Sequence, residues 1–282
     1  MYETFKMRDG IITGYHWKKE NPDYVMCIVH GIGEHGARYN EMAEFLGESN
    51  IAILSMDHRG HGRSQGKRGH CAPRKEVLED VSALIEQCQK LYKNKPIILY
   101  GHSMGGNIVL DYRNRGRLNE TISKYIVSAP WIRLVRPVPK PLYLLTKVAS
   151  KLFPKMSVCS ACPKELLGHP NKLKDFDEDK LIHDRVTLQT AVEGFDIGLA
   201  IENGSHEKIG NGTSRPCLLM HGDKDGICSV EGSRKLALLS KENKAFTYKE
   251  WPEYFHEIHN GGTYDNGHKV LEYIRDYICN NK

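Results

Sequence analysis

No apolar run in this sequence approaches the roughly 20 residues that a membrane-spanning helix requires. The opening stretch, Met1-Tyr2-Glu3-Thr4-Phe5-Lys6, has neither the basic start nor the apolar middle of a secretory signal. These two absences set the expectation of a cytoplasmic protein. Charge of one sign is also scarce: the net charge is +5, and no Lys/Arg block is interleaved with aromatic residues. That excludes a nucleic-acid footprint. The 8 cysteines are scattered through 282 residues, a length that buries a core without disulfides or metals. Free thiols are therefore expected. Cys159 and Cys162 form a lone Cys-x-x-Cys with no second ligand pair at suitable spacing. His256-Glu257-Ile258-His259 is one residue short of the His-Glu-x-x-His of a zinc protease. Asp175-x-Asp177-x-Asp179 starts like a calcium loop, but Lys180 stands where glycine is needed and Val186 where the closing Glu belongs. It reads as a solvated acidic loop. No metal site and no cofactor are expected.

Apolar runs of strand length recur in place of long ones. Tyr24–Val29, Ile51–Met56, Pro96–Tyr100, Tyr125–Val127 and Cys217–Met220 are continuous, not alternating. Such runs suit strands covered on both faces, as in a parallel sheet. Residues 2–17 read as two short strands around Asp9-Gly10, a hairpin signal. Helical spacing separates the runs. Val77, Leu78, Val81, Leu84, Ile85, Cys88, Leu91 and Tyr92 hold it longest. Ile108, Val109 and Tyr112 repeat it, as do Val270, Leu271, Ile274, Tyr277 and Ile278. The alternation predicts an α/β fold with a mostly parallel central sheet flanked by helices. It breaks between about Trp131 and Gly210, where prolines punctuate short helical pieces over 142–149 and 186–201. The expected organisation is a core of 1–130 and 211–282, with an inserted helical cap over 131–210.

Gly101-His102-Ser103-Met104-Gly105-Gly106 follows one apolar run and precedes a helical pattern. A Gly-x-Ser-x-Gly in that setting is the signature of a strained strand-to-helix turn that exposes a serine nucleophile. Serine needs a base, and the base needs a carboxylate to hold its tautomer. After the run ending at Met220 come Asp223 and Asp225; after the strand-like 245–251 come His256 and His259. Either aspartate and either histidine could serve. The order Ser, Asp, His is that of an α/β-hydrolase. An oxyanion needs preorganised N–H donors. Met104, the residue after the serine, is one candidate; Ile32, within His30-Gly31-Ile32-Gly33-Glu34-His35-Gly36, is the other. Asp57–Ser64 is rich in titratable groups but reads as structural, with an Asp–Arg pair and glycine turns shaping a loop beside the site.

These motifs resemble those of serine hydrolases of the monoacylglycerol lipase type, within the α/β-hydrolase superfamily. The same group includes many bacterial proteins labelled lysophospholipases. The matching segments are Val29–Tyr39, Asp57–Ser64, Gly101–Gly106, Gly222-x-x-Asp225-x-x-Cys228 and Tyr254-Phe255-His256. The resemblance implies Ser103, Asp225 and His256 as the catalytic residues. It also implies that Glu34, Arg38 and His259 contact the glycerol moiety or line its exit route. A carboxylate, a guanidinium and an imidazole suit a diol, although Glu34 and Arg38 equally suit a loop-fixing ion pair. Cys228 reads as a small buried side chain near the site.

Within the expected cap, Leu142, Leu145, Val148, Ala149, Leu152 and Phe153 lie at helical spacing among Lys140, Lys147, Lys151 and Lys155. An apolar roof suits an acyl chain, and an amphipathic lid of this kind can also rest transiently on a membrane or micelle. The expected activity is hydrolysis of a monoacylglycerol or similar single-chain lipid ester. Lysophospholipase or short-chain esterase activity is the near alternative. An aminopeptidase and a non-catalytic receptor on the same fold stand further off. The sequence leaves the oligomeric state open.

Overall fold

The structure is a computed structural model that describes residues 1–280 apart from 161, 175, 207–209 and 211. Eight strands form one sheet: β1 (Glu3–Met7), β2 (Ile12–Trp17), β3 (Tyr24–Val29), β4 (Ile51–Met56), β5 (Ile97–His102), β6 (Ile122–Ser128), β9 (Cys217–Gly222) and β10 (Phe246–Trp251). Their order is β1-β2-β4-β3-β5-β6-β9-β10. β1 pairs antiparallel with β2, and β2 antiparallel with β4; every later pairing is parallel.

The continuous apolar runs are explained by the two faces of this sheet. Val25, Cys27 and Val29 of β3 point to one side, and Met26 and Ile28 to the other. The first side meets α2 (Arg74–Leu91) and α3 (Met104–Arg115) through Val81, Leu84, Ile85, Ile108 and Val109. The second meets α1 (Asn40–Gly47) and α7 (His268–Cys279) through Met42, Leu46, Val270, Leu271 and Ile274. Successive residues face opposite ways along a strand, so a strand covered twice has no polar half. Cys27, Cys71, Cys88, Cys217 and Cys228 are buried free thiols.

Between β6 and β9 the chain leaves the sheet. It forms α4 (Lys140–Leu152), the short strands β7 (Ser157–Cys159) and β8 (Arg185–Thr187), which pair antiparallel, and α5 (Leu188–Glu202). The helical piece expected from 186 thus begins two residues later, because Val186 and Thr187 belong to β8. α6 (Val230–Leu239) then packs beside β9.

Asp57, at the end of β4, is buried and accepts from Tyr15 Oη at 2.7 Å, Gly36 N at 2.8 Å and Arg63 N at 2.7 Å. The Asp–Arg pair expected inside 57–64 therefore takes another form. The Arg63 backbone, not a guanidinium, meets Asp57, while Arg59 grips the buried Asp80 of α2 at 2.7 Å and 2.8 Å.

Candidate active site

Ile32, Ser103, Asp225 and His256 follow the carboxyl ends of β3, β5, β9 and β10, where open α/β sheets place their ligands. Ser103 joins β5 to α3 with φ 55° and ψ −117°, a region that L-residues avoid at a cost of about 1–3 kcal/mol. The turn survives because Gly101 and Gly105 carry no Cβ. One on Gly101 would run into the Gly105 carbonyl, and one on Gly105 into the Val29 carbonyl of β3. Backbone bonds then clamp it: Ser103 N donates to Ser128 O at 3.0 Å, and Trp131 N donates to Ser103 O at 2.9 Å.

The Ser103 hydroxyl donates to His256 Nε2 at 2.9 Å, and His256 Nδ1 donates to Asp225 Oδ2 at 2.7 Å. Of the two candidate aspartates, Asp225 reaches the histidine; Asp223 instead accepts from Glu253 N at 2.6 Å. Asp225 is saturated with donors. Ile227 N and Cys228 N donate to its Oδ1 at 2.8 Å and 2.9 Å, and His221 Nε2 donates to Oδ2 at 3.0 Å. Burial alone would raise its pKa, but the His256 charge and these hydrogen bonds outweigh burial and hold it well below the carboxylate range. For His256, burial disfavours the imidazolium; Asp225, Glu257 and Glu34 overcome this and raise its pKa above the ordinary value.

Met104 opens α3, so its amide has no carbonyl one turn back to bond. Ile32 lies in the loop after β3, and that loop presses against Ser103. A Cβ on Gly31 would stand 3.1 Å from the Ser103 Cβ. Ile32 and Ser103 line the same two cavities. The loop is braced from two sides. Gly31 N donates to Glu34 Oε1 at 2.5 Å, and His183 N, from the inserted segment, donates to Gly33 O at 2.9 Å.

The two cavities meet at Ser103. One, of about 420 Å³, is the more polar of the two, with Glu34, Arg38, Asp179 and Glu257 in its wall beside the apolar Ile32, Leu167, Phe176 and Ile182. The other, of about 550 Å³, runs under α4 and α5 past Trp131, Leu142, Val186, Leu188 and Phe195. The carboxylates of the polar cavity are engaged. Asp177 pairs with Lys164, Asp184 with Arg185, and Asp179 accepts from His35 at 2.7 Å. Asp177 is exposed, as a solvated acidic loop requires, while Asp179 is half-buried and tied to His35; Asp175 lies outside the described residues. Arg38 donates to Glu34 Oε2 at 2.8 Å and grips both oxygens of Glu257 at 2.8 Å and 3.0 Å. His259 does not line either cavity at Ser103. It stacks on Tyr39 at 5.2 Å and faces a neighbouring cavity of about 250 Å³ beyond Arg38. Burial lowers its pKa to about 4, so it is neutral at pH 7.

Sequence reasoning passed over two residues of the site. His221 backs Asp225 and is itself held by Ser233 Oγ at 2.7 Å. Glu257 adjoins His256 in the chain, but its partner Arg38 is 219 positions away. Their one visible signal was position, His221 at a strand end and Glu257 beside His256. Among the described residues no group of His, Cys, Asp or Glu is arranged to hold a metal ion. Cys159 donates to Asp184 Oδ2 at 3.5 Å.

Fold and site together define an α/β-hydrolase of the serine type. Residues 20–262 match the profile of the Hydrolase_4 family, described as serine aminopeptidase, S33, and the chain belongs to that family. A monoacylglycerol lipase of Mycolicibacterium smegmatis is 31% identical over 240 residues, 85% of this chain and 83% of that protein. The phospholipase YtpA of Bacillus subtilis is 26% identical over 245 residues, 86% and 92% of the two chains. The crystal structure of a monoacylglycerol lipase from Paleococcus ferrophilus superposes with a TM-score of 0.80 at 28% identity, covering 94% of this chain and 98% of that one.

Proposed function

We propose that this protein hydrolyses monoacylglycerols, or closely similar single-chain lipid esters, to a fatty acid and an alcohol. The observation that carries the reading is the Ser103–His256–Asp225 relay at the junction of two cavities, one holding the charged groups Glu34, Arg38 and Glu257 and the other lined chiefly by apolar side chains. His256 takes the Ser103 proton as the oxygen attacks the ester carbonyl. The amides of Ile32 and Met104 hold the oxyanion. His256 then protonates the departing alcohol, and water reverses the sequence on the acyl-enzyme. The acyl chain occupies the cavity under α4 and α5, within a cap of 131–210. The glycerol part occupies the polar cavity beside Glu34 and Arg38. No cofactor enters this chemistry.

The named substrates of the lipase relatives support the ester class. The Bacillus phospholipase favours a lysophospholipid as the second reading. A phosphate would need a spare cation. Among the described residues of the polar cavity, the one guanidinium, Arg38, is already held by two carboxylates. That favours a neutral head group. The same pairing of carboxylates with basic partners disfavours a free-amine pocket for a peptide. A covalent fluorophosphonate probe and a substrate panel test the reading. The wild-type enzyme labels, and kcat/KM for monoacylglycerols rises by roughly fourfold per methylene until the apolar cavity is full. Preference for lysophospholipids over monoacylglycerols of equal chain length would overturn the choice. With the His256 pKa raised, kcat/KM falls on the acid side, as protonation removes the base.

α4 supports a further part of the reading, transient contact with lipid aggregates. Leu144, Leu145, Val148 and Leu152 are each more than 60% exposed, while Leu142 and Tyr143 of the same helix line the apolar cavity. Among the described residues no helix is long and apolar enough to cross a membrane. The helix would lie on the lipid surface with its lysines toward headgroups, the protein otherwise working in the cytoplasm. Leu145→Asp combined with Leu152→Asp is expected to weaken vesicle binding at least roughly tenfold. Cleavage of a soluble short-chain ester should be unchanged. Unaltered vesicle sedimentation would remove the lipid-surface role.

A further inference from the structure

Glu257 takes no part in the proton relay, yet its carboxylate is wholly engaged beside it. Both oxygens accept from Arg38, at 2.8 Å and 3.0 Å, and Asn260 Nδ2 adds a third donor at 2.6 Å. Arg38 in turn donates to Glu34 Oε2 at 2.8 Å. The other Glu34 oxygen accepts from Tyr39 Oη at 3.0 Å and from Gly31 N at 2.5 Å. Gly31 precedes Ile32, and Glu257 follows His256. A chain of charge-assisted hydrogen bonds thus runs without a break from the oxyanion loop after β3 to the loop after β10.

Fixing loops is not the cheapest use of three buried charges. Desolvating an ion pair costs several kcal/mol, and apolar residues of similar volume often stabilise a fold as well or better. What the ionic form adds is geometry. The guanidinium is planar and its fork holds a carboxylate in one plane and at one distance. A difference of about 1 Å between reacting groups can cost a hundredfold in rate.

We propose that Glu257 is a positioning residue: through Arg38 it ties the loop carrying the base to the loop carrying the oxyanion donor, and it sets a fixed negative charge behind His256. The inference rests on the relay assigned above. The groups facing His256 are Asp225 from the loop after β9, Ser103 and His102 from the elbow, and Glu34 from the loop after β3. Glu257 and His259 face it from its own segment, and Cys162 shares its cavity from the inserted segment. His102 and His259 are neutral, their pKa values lowered chiefly by burial. The negative charges on His256 are therefore Asp225, Glu257 and Glu34, and each stabilises the imidazolium.

Two substitutions separate charge from position. Glu257→Gln keeps the shape and removes the charge. Its kcat should fall roughly tenfold to a hundredfold with a smaller change in KM. Its acid limb of kcat/KM should move to lower pH, because His256 loses a partner for its proton. Glu257→Asp keeps the charge and shortens the reach. It should lose kcat while leaving the acid limb in place, which also serves if the Gln variant does not fold. A purely structural Glu257 would lower the melting temperature of both variants and leave the acid limb of each folded one where it is; that result overturns the proposal. So does a Gln variant with wild-type kcat. Fluorophosphonate labelling of the wild type keeps the two readings apart. If the wild type fails to label, the relay itself falls. If it labels and the variants match it, Glu257 alone falls.

Discussion

Ser103→Ala is expected to lower kcat for ester cleavage by roughly five to six orders of magnitude and to abolish fluorophosphonate labelling. On the proposed mechanism, removing the hydroxyl removes the path to an acyl-enzyme, so the oxyanion donors and cavities that remain would act only on attack by water. The backbone is indifferent to the change. The strained φ of 55° at this position is imposed by the β5–α3 turn and its glycine neighbours, and alanine bears it as serine does. Near-wild-type thermal unfolding should accompany the loss. A variant retaining more than about 1% of kcat would mean that another nucleophile operates, and the assignment would fail.

Asp225→Asn should cost kcat about four orders of magnitude near neutral pH. The reason lies in how the carboxylate is anchored. Its Oδ1 accepts two backbone amides, from Ile227 and Cys228. An asparagine must keep its oxygen there, since an NH2 group would oppose two N–H donors. Its NH2 is then forced to the Oδ2 position, where it meets His221 Nε2 and His256 Nδ1. His256 answers by accepting at Nδ1, which moves its proton to Nε2. A base protonated at Nε2 cannot take the Ser103 proton. Measured kcat within tenfold of wild type would show that Asp225 does not control the His256 tautomer.

The same residues show where the sequence was legible. Continuous apolar runs announced the doubly covered strands, since Val25, Cys27 and Val29 serve one helical layer and Met26 and Ile28 the other. The elbow was legible because it is local: strand, crowded turn and helix follow one another without a break over residues 97–115. The α1 helix was missed because 8 residues carry too few turns to establish a period. β7 and β8 were missed because three-residue strands have no period at all. The Arg38–Glu257 pair was beyond reach for another reason. Each residue looks ordinary in its own segment, and only the assembled sheet brings them together. The head-group residues show the limit of analogy. Glu34 and Arg38 line the polar cavity but spend their hydrogen bonds on each other and on Glu257, while His259 packs between Tyr39 and His102 and opens on the neighbouring cavity.

The bond from His183 N to the Gly33 carbonyl gives the inserted segment a hold on chemistry as well as on entry. The loop assigned to the oxyanion is buttressed from above by a residue that must travel if the roof lifts. On the proposed mechanism such an enzyme would be armed with the roof down and disarmed with it raised. A lipid surface that draws α4 outward would then speed loading and slow bond cleavage at the same time. Turnover would be governed by how quickly the roof settles back over its guest.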